Sequence, residues 1–124
     1  MPPAADADNR LFHLCLHRAW QAAQKSGAYD GGRGPDPFIH LSTAEQVAES
    51  AALHFTGVAD LVLLTVDGAA LGPELRWEAS RGGGRFPHLY GDLPLDAVVA
   101  VDRLPLDAEG RHIFPDGVTG TAST

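Results

Sequence analysis

The spacing of hydrophobic positions changes several times along the 124 residues, and each change marks an element. Leu11 to Leu16 (LFHLCL) is an apolar run with one polar interruption and reads as a strand. Strand alternation puts Leu11, His13 and Cys15 on one face and Phe12, Leu14 and Leu16 on the other. From His17 to Ser26 the spacing becomes helical, with Ala19, Trp20 and Ala23 on one side. Gly27 follows, where helices commonly end in left-handed geometry. The stretch Gly31 to Pro37, with three glycines and two prolines, is a loop. Phe38 to Leu41 (FIHL) is a second strand, with Phe38 and His40 on one face.

Ser42-Thr43-Ala44-Glu45 then matches a capping box, in which Ser42 accepts from backbone amides and Glu45 bonds back. Val47, Ala48, Ala51, Ala52 and Phe55 form the apolar face of the helix that follows, and Gly57 ends it. Leu61 to Val66 (LVLLTV) and Ala97 to Val101 (AVVAV) are continuous apolar runs, expected as strands buried on both faces. Between them, Glu74 to Ala79 and Arg85 to Tyr90 read as two strands joined by the glycine-rich Ser80 to Gly84.

Strand, helix, strand, helix and then mostly strand predicts a single α+β domain with a mixed, mostly antiparallel sheet and two main helices. The expected organisation is a flexible arm over residues 1–9, a domain over 10–105 and a tail over 106–124. Ile113 and Phe114 are expected to dock back before the tail frays.

Composition narrows the function. The formal charge of −7, with only nine scattered lysines and arginines, argues against a nucleic-acid surface. The acidic start carries no signal peptide, and no apolar run reaches the ~20 residues that span a bilayer. The expectation is a cytoplasmic, soluble protein whose partner is a small-molecule ligand. Cys15, the lone cysteine, rules out an internal disulfide and reads as a buried thiol.

The candidate chemistry lies in histidines. His13 and His40 each interrupt an apolar strand, where a hydrogen-bonded core histidine is the commoner reading. His40 has a second cue, since Ser42 and Thr43 open a helix whose free amides suit an anion. In Phe86-Pro87-His88-Leu89-Tyr90-Gly91, His88 and Tyr90 point the same way, and Gly91 permits close backbone approach. Glu78 lies across the hairpin, either as a carboxylate facing His88 or as half of a solvated pair with an arginine. No H-x-H, H-E-x-x-H or Cys-x-x-Cys spacing supports a metal site, and no G-x-S-x-G or Walker loop is present.

Four ordered segments carry a family resemblance: residues 38–46 (FIHLSTAEQ), 60–64 (DLVLL), 76–78 (RWE) and 86–91 (FPHLYG). On these the chain resembles the bacterial domain of unknown function 952, from Phe12 to about Leu104. That family looks like a compact relative of the ADP-ribosyltransferase fold, whose split sheet holds NAD in a cleft. The resemblance implies His13 as the first-strand group at the ribose, and His40 with Ser42 or Thr43 as the second-strand support. Glu78 would be the late-strand carboxylate, with His88 and Tyr90 in the family motif.

Three functions follow. In an enzyme acting on NAD or an ADP-ribose-like nucleotide, with NAD as substrate and no bound cofactor, Glu78 and His88 would be catalytic. His13, His40, Ser42, Thr43, Tyr90 and Gly91 would bind the ligand, and Arg81 or Arg85 would meet the diphosphate. The same cleft in a non-catalytic domain would bind a nucleotide or another small anion. In a structural protein the histidines would merely complete a hydrogen-bonded core.

Overall fold

The computed structural model describes residues 10–30, 37–79 and 84–115. The expected arm, most of the Gly31 to Pro37 loop, the Ser80 to Gly83 turn with Arg81, and the end of the tail lie outside the described residues.

Six strands and two α-helices follow one another as β1 (Arg10–Leu16), α1 (His17–Ser26), β2 (Ile39–His40), α2 (Ala44–His54), β3 (Leu61–Asp67), β4 (Leu75–Ala79), β5 (Arg85–Leu89) and β6 (Val98–Arg103). Short 3-10 turns precede β4 and β6. The fold is α+β, with two three-stranded sheets in the orders β1-β3-β6 and β2-β5-β4. Every strand pairing among the described residues is antiparallel, where a mixed sheet was expected. No described crossover returns a strand parallel to its neighbour.

The sheets meet where Phe12 of β1 lies opposite Ser42, just beyond β2. There the two residues exchange a pair of backbone hydrogen bonds of 2.8 Å. Ser42 is thereby drawn into the strand pairing, and the capping box forms one residue later than expected. Thr43 is the N-cap, and its backbone N–H donates to Gln46 Oε1 at 3.0 Å. Gln46 offers the same kind of side-chain oxygen acceptor that Glu45 supplies to the motif on paper.

Central β3 explains the packing. Leu61, Val62, Leu63, Leu64 and Val66 are completely buried. Each contributes about 1.5–3 kcal/mol relative to exposure. Alternation sends Val62, Leu64 and Val66 into a first core with Leu11, Cys15, Trp20, Tyr29, Ile39, Leu41 and Leu89. Leu61 and Leu63 enter a second core with Phe12, Val47 and Leu104. Within α2 only Val47 and Ala51 are buried, while Ala48 and Ala52 are exposed, so its apolar face is narrower than the spacing implied.

The run from Ala97 to Val101 also departs from expectation. Ala97 closes a 3-10 turn, and β6 is the outermost strand of its sheet, leaving Val99 57% and Val101 42% exposed. An apolar run has the same composition at the centre or the edge of a sheet, so the pattern overstated its burial. Past β6 the chain folds back: Leu106 bridges to His112, His112 Nε2 donates to the Val58 carbonyl at 2.7 Å, and Phe114 packs on the second core.

Candidate functional site

The β2-β5-β4 sheet has two unlike faces. Ile39 and Leu89 point into the first core. Alternation turns the intervening side chains the other way. Register sets His40 and Arg76 directly opposite His88 on either side, with Glu78 two residues further along β4. Phe38 and Tyr90, one residue beyond the ends of their short strands, join the same face. The result is a cluster of Phe38, His40, Arg76, Glu78, His88 and Tyr90.

Glu78 ties the cluster together through one oxygen. Its Oε1 accepts from His88 Nδ1 at 2.8 Å and from the Tyr90 hydroxyl at 2.7 Å. Those two bonds, His88 first, hold the Glu78 carboxyl below its ordinary range, and the same bond pushes the Tyr90 phenol up. Glu78 is therefore an ionised acceptor at neutral pH, and its side chain is 37% exposed. The Arg76 guanidinium carbon lies 4.8 Å from the Tyr90 ring centre.

Aromatic contacts fix the rings. Phe38 stacks on His88 with centres 3.9 Å apart and planes inclined by 17°. The exposed His40 ring stands edge-on to both, 4.8 Å from Phe38 and 5.3 Å from His88. His88 itself is buried to all but 6%.

His13 belongs elsewhere. Its ring lies in the first core, and Nδ1 donates to the backbone carbonyl of His40 at 2.8 Å while Nε2 accepts from the Tyr29 hydroxyl at 2.6 Å. Those partners fix the neutral tautomer. Burial is the main cause that lowers its pKa from 6.5 to about 4; the bond to the His40 carbonyl opposes this, and the His40 charge adds to it. Burial pushes the Cys15 thiol up, and the nearby Tyr29 opposes this. His13 thus supports the backbone beneath His40 without its ring joining the cluster.

The remaining expected residues scatter around these two centres. Ser42 is buried, with its hydroxyl 3.4 Å from that of Ser50. Thr43 caps α2. Arg85 opens β5 on the Pro87 and Leu89 side of the strand, opposite to His88, and its carbonyl accepts from Gln46 Nε2 at 2.7 Å. Gly91 follows the cluster, and a Cβ there would meet Glu74 Cγ at an ordinary 3.7 Å.

Phe38 and Arg76 are the members that sequence reasoning did not count as site residues. Both were findable, since each lies two residues from a candidate on the same strand face. An open cavity of about 560 Å³ lies elsewhere, between α1 and β6, lined by Trp20, Gln24, Leu95 and residues 98–101. It holds no ionisable side chain.

Among the described residues, no group of three or more His, Cys, Asp and Glu is arranged to hold a metal ion. No described helix is long and apolar enough to cross a membrane.

A family model described as a protein of unknown function, DUF952, matches residues 14–101. The chain belongs to the DUF952 family. The match contains the whole cluster and begins one residue after His13. Among solved structures, the DUF952 domain is similar to the crystal structure of protein CC0527 from Caulobacter crescentus, at 42% identity and a TM-score of 0.83 over 88% of this chain and 97% of that one. The solution NMR structure of CC0527 gives 45% identity and a TM-score of 0.75 over 83% and 90% of the two chains. Among curated proteins no relative matches.

Proposed function

We propose that this DUF952 domain binds a nucleotide of the NAD or ADP-ribose kind on the outer face of the β2-β5-β4 sheet and acts on it as a transferase or glycohydrolase. The observation that carries the reading is the doubly hydrogen-bonded Glu78. Oε1 is fixed by His88 and Tyr90, and Oε2 makes no bond among the described residues. An ionised carboxylate with one oxygen anchored and the other open is suited to accept from a ribose hydroxyl and to stabilise positive charge developing at the sugar.

The surrounding groups fit the other parts of such a ligand. Arg76 and the exposed His40 face a diphosphate, and the Phe38 and Tyr90 rings offer aromatic surface to a base. His88 supplies a ring nitrogen that can take or give a proton. The division of the strands into two sheets, joined only at the Phe12–Ser42 bridge among the described residues, supports a compact ADP-ribosyltransferase-like fold. The acidic chain and its single buried cysteine go with a cytoplasmic protein that acts on small molecules rather than nucleic acid.

The test is calorimetric and thermal-shift titration with NAD, ADP-ribose, AMP and sugar phosphates, on the wild type and on His40→Ala. A ligand at about 100 times its Kd adds roughly 2.7 kcal/mol, several degrees in Tm for a chain of this size. A shift with NAD or ADP-ribose that is lost in a folded His40→Ala is expected, and turnover is assayed next. Saturable binding without turnover would leave a non-catalytic nucleotide-binding domain. No binding by the wild type would retire the nucleotide reading.

A further inference from the structure

We infer that His88 is the proton-accepting group of this site, held by Glu78 so that its Nε2 takes a hydrogen bond or proton from a hydroxyl-bearing ligand. The inference rests on the proposed site but not on the identity of its ligand. It makes Glu78 a positioning residue through Oε1, in addition to whatever Oε2 contacts.

The argument is one of donors and acceptors. A carboxylate can only accept, so the 2.8 Å contact between Oε1 and His88 Nδ1 requires the proton on Nδ1. In the neutral ring Nε2 is then an acceptor with its lone pair uncommitted. Nε2 makes no hydrogen bond among the described residues, and no buried nitrogen or oxygen of the described side chains lacks a partner. Nε2 therefore keeps some contact with solvent, although His88 as a whole is buried.

The ring is also prevented from turning over. Phe38 stacks on its face, His40 stands at its edge, and a flip would bring the Cδ2 carbon to Glu78 in place of Nδ1 and break the bond. Tyr90 donates to the same Oε1 and holds the carboxylate from the other side. His88 sits on β5, the central strand of its sheet, so the constellation rests on paired backbone rather than on a loop. A group fixed in this way presents one acceptor in a set direction, which is what removing a proton from a hydroxyl or a bound water needs. The proton moves to Nε2, the oxygen keeps the electron pair, and the imidazolium formed is stabilised by the Glu78 charge.

Two ligand-free measurements and one binding measurement test this. Long-range proton–nitrogen NMR spectra at pH 7.5 are expected to show His88 as the Nδ1–H tautomer, and Glu78→Ala, which removes the acceptor, is expected to change that pattern while the amide spectrum stays folded. Diethyl pyrocarbonate, mapped by mass spectrometry, is expected to modify His88 despite its burial, and at least tenfold more slowly in Glu78→Gln. His88→Asn keeps a donor for Glu78 and removes Nε2, and is expected to weaken ADP-ribose binding at least tenfold.

An Nε2–H tautomer in the wild type, a tautomer unchanged in Glu78→Ala, or a His88 that resists the reagent would overturn the inference. So would ADP-ribose binding to His88→Asn as tightly as to the wild type. A wild type that binds no nucleotide would instead retire the ligand proposed above, leaving the tautomer and reagent results to decide His88.

Discussion

Acidification from pH 7 to pH 5 is expected to remove about 2 kcal/mol of folding stability through His13 alone. Burial depresses the pKa of this ring from 6.5 to about 4 in the folded chain. Between those values the unfolded chain takes up a proton that the folded chain refuses. The stability held by the neutral ring is complete above the unfolded value and is lost as pH falls toward the folded one. The full loss, below both values, is about 3 kcal/mol, and most of it has occurred by pH 5. Because the ring is buried between the His40 carbonyl and Tyr29, solvent screening does little to reduce it. The assay is urea unfolding at pH 7, 6 and 5 on the wild type and His13→Gln. The variant loses part of a buried hydrogen-bond network, on the order of 1–3 kcal/mol at pH 7, but has nothing to titrate at this position. The wild type should therefore lose about 2 kcal/mol more than the variant between pH 7 and 5. Parallel losses in the two proteins would refute the reasoning.

Other expectations follow from the same geometry. Tyr90→Phe removes one of the two bonds to Glu78 Oε1 and should raise the Glu78 carboxyl toward its ordinary range, read by carbon NMR titration; an unmoved midpoint would contradict the shared-oxygen geometry. Gly27→Ala should cost about 1 kcal/mol in urea melts from backbone strain alone, since φ there is +86° and a Cβ would meet nothing within 4 Å. Leu63→Ala, in the centre of β3, should cost about 2–5 kcal/mol, whereas Val99→Ala on the exposed strand should stay within about 0.5 kcal/mol. Similar costs at the two positions would mean that β6 is covered in solution.

How much could be read beforehand depended on whether the deciding interaction was local. The alternation in LFHLCL and the unbroken LVLLTV placed β1 and β3 because side-chain period is a property of a single strand. Gly27 announced the end of α1 because left-handed geometry is a property of a single residue. The outer position of β6 was not legible, since it depends on which strands pair, and the AVVAV run carries no mark of that. The cap of α2 slipped from Ser42 to Thr43 because Phe12, thirty residues away, claims the Ser42 backbone. The two histidines in apolar strands looked alike in sequence, yet one is a core residue and the other is exposed. What separates them is Tyr29, which lies near His13 only after α1 turns the chain back. Period-2 spacing did bring Glu78, His88 and Tyr90 to one face, and the same rule applied to Phe38 and Arg76 would have completed the cluster.

The most direct test of the nucleotide site is to titrate ADP-ribose into nitrogen-labelled protein and follow the amide spectrum residue by residue. Shifts centred on Phe38 to His40, Arg76 to Glu78 and His88 to Gly91 are the predicted result. Shifts confined to the groove between Trp20 and Val99, or no shifts at millimolar ligand, would contradict the account.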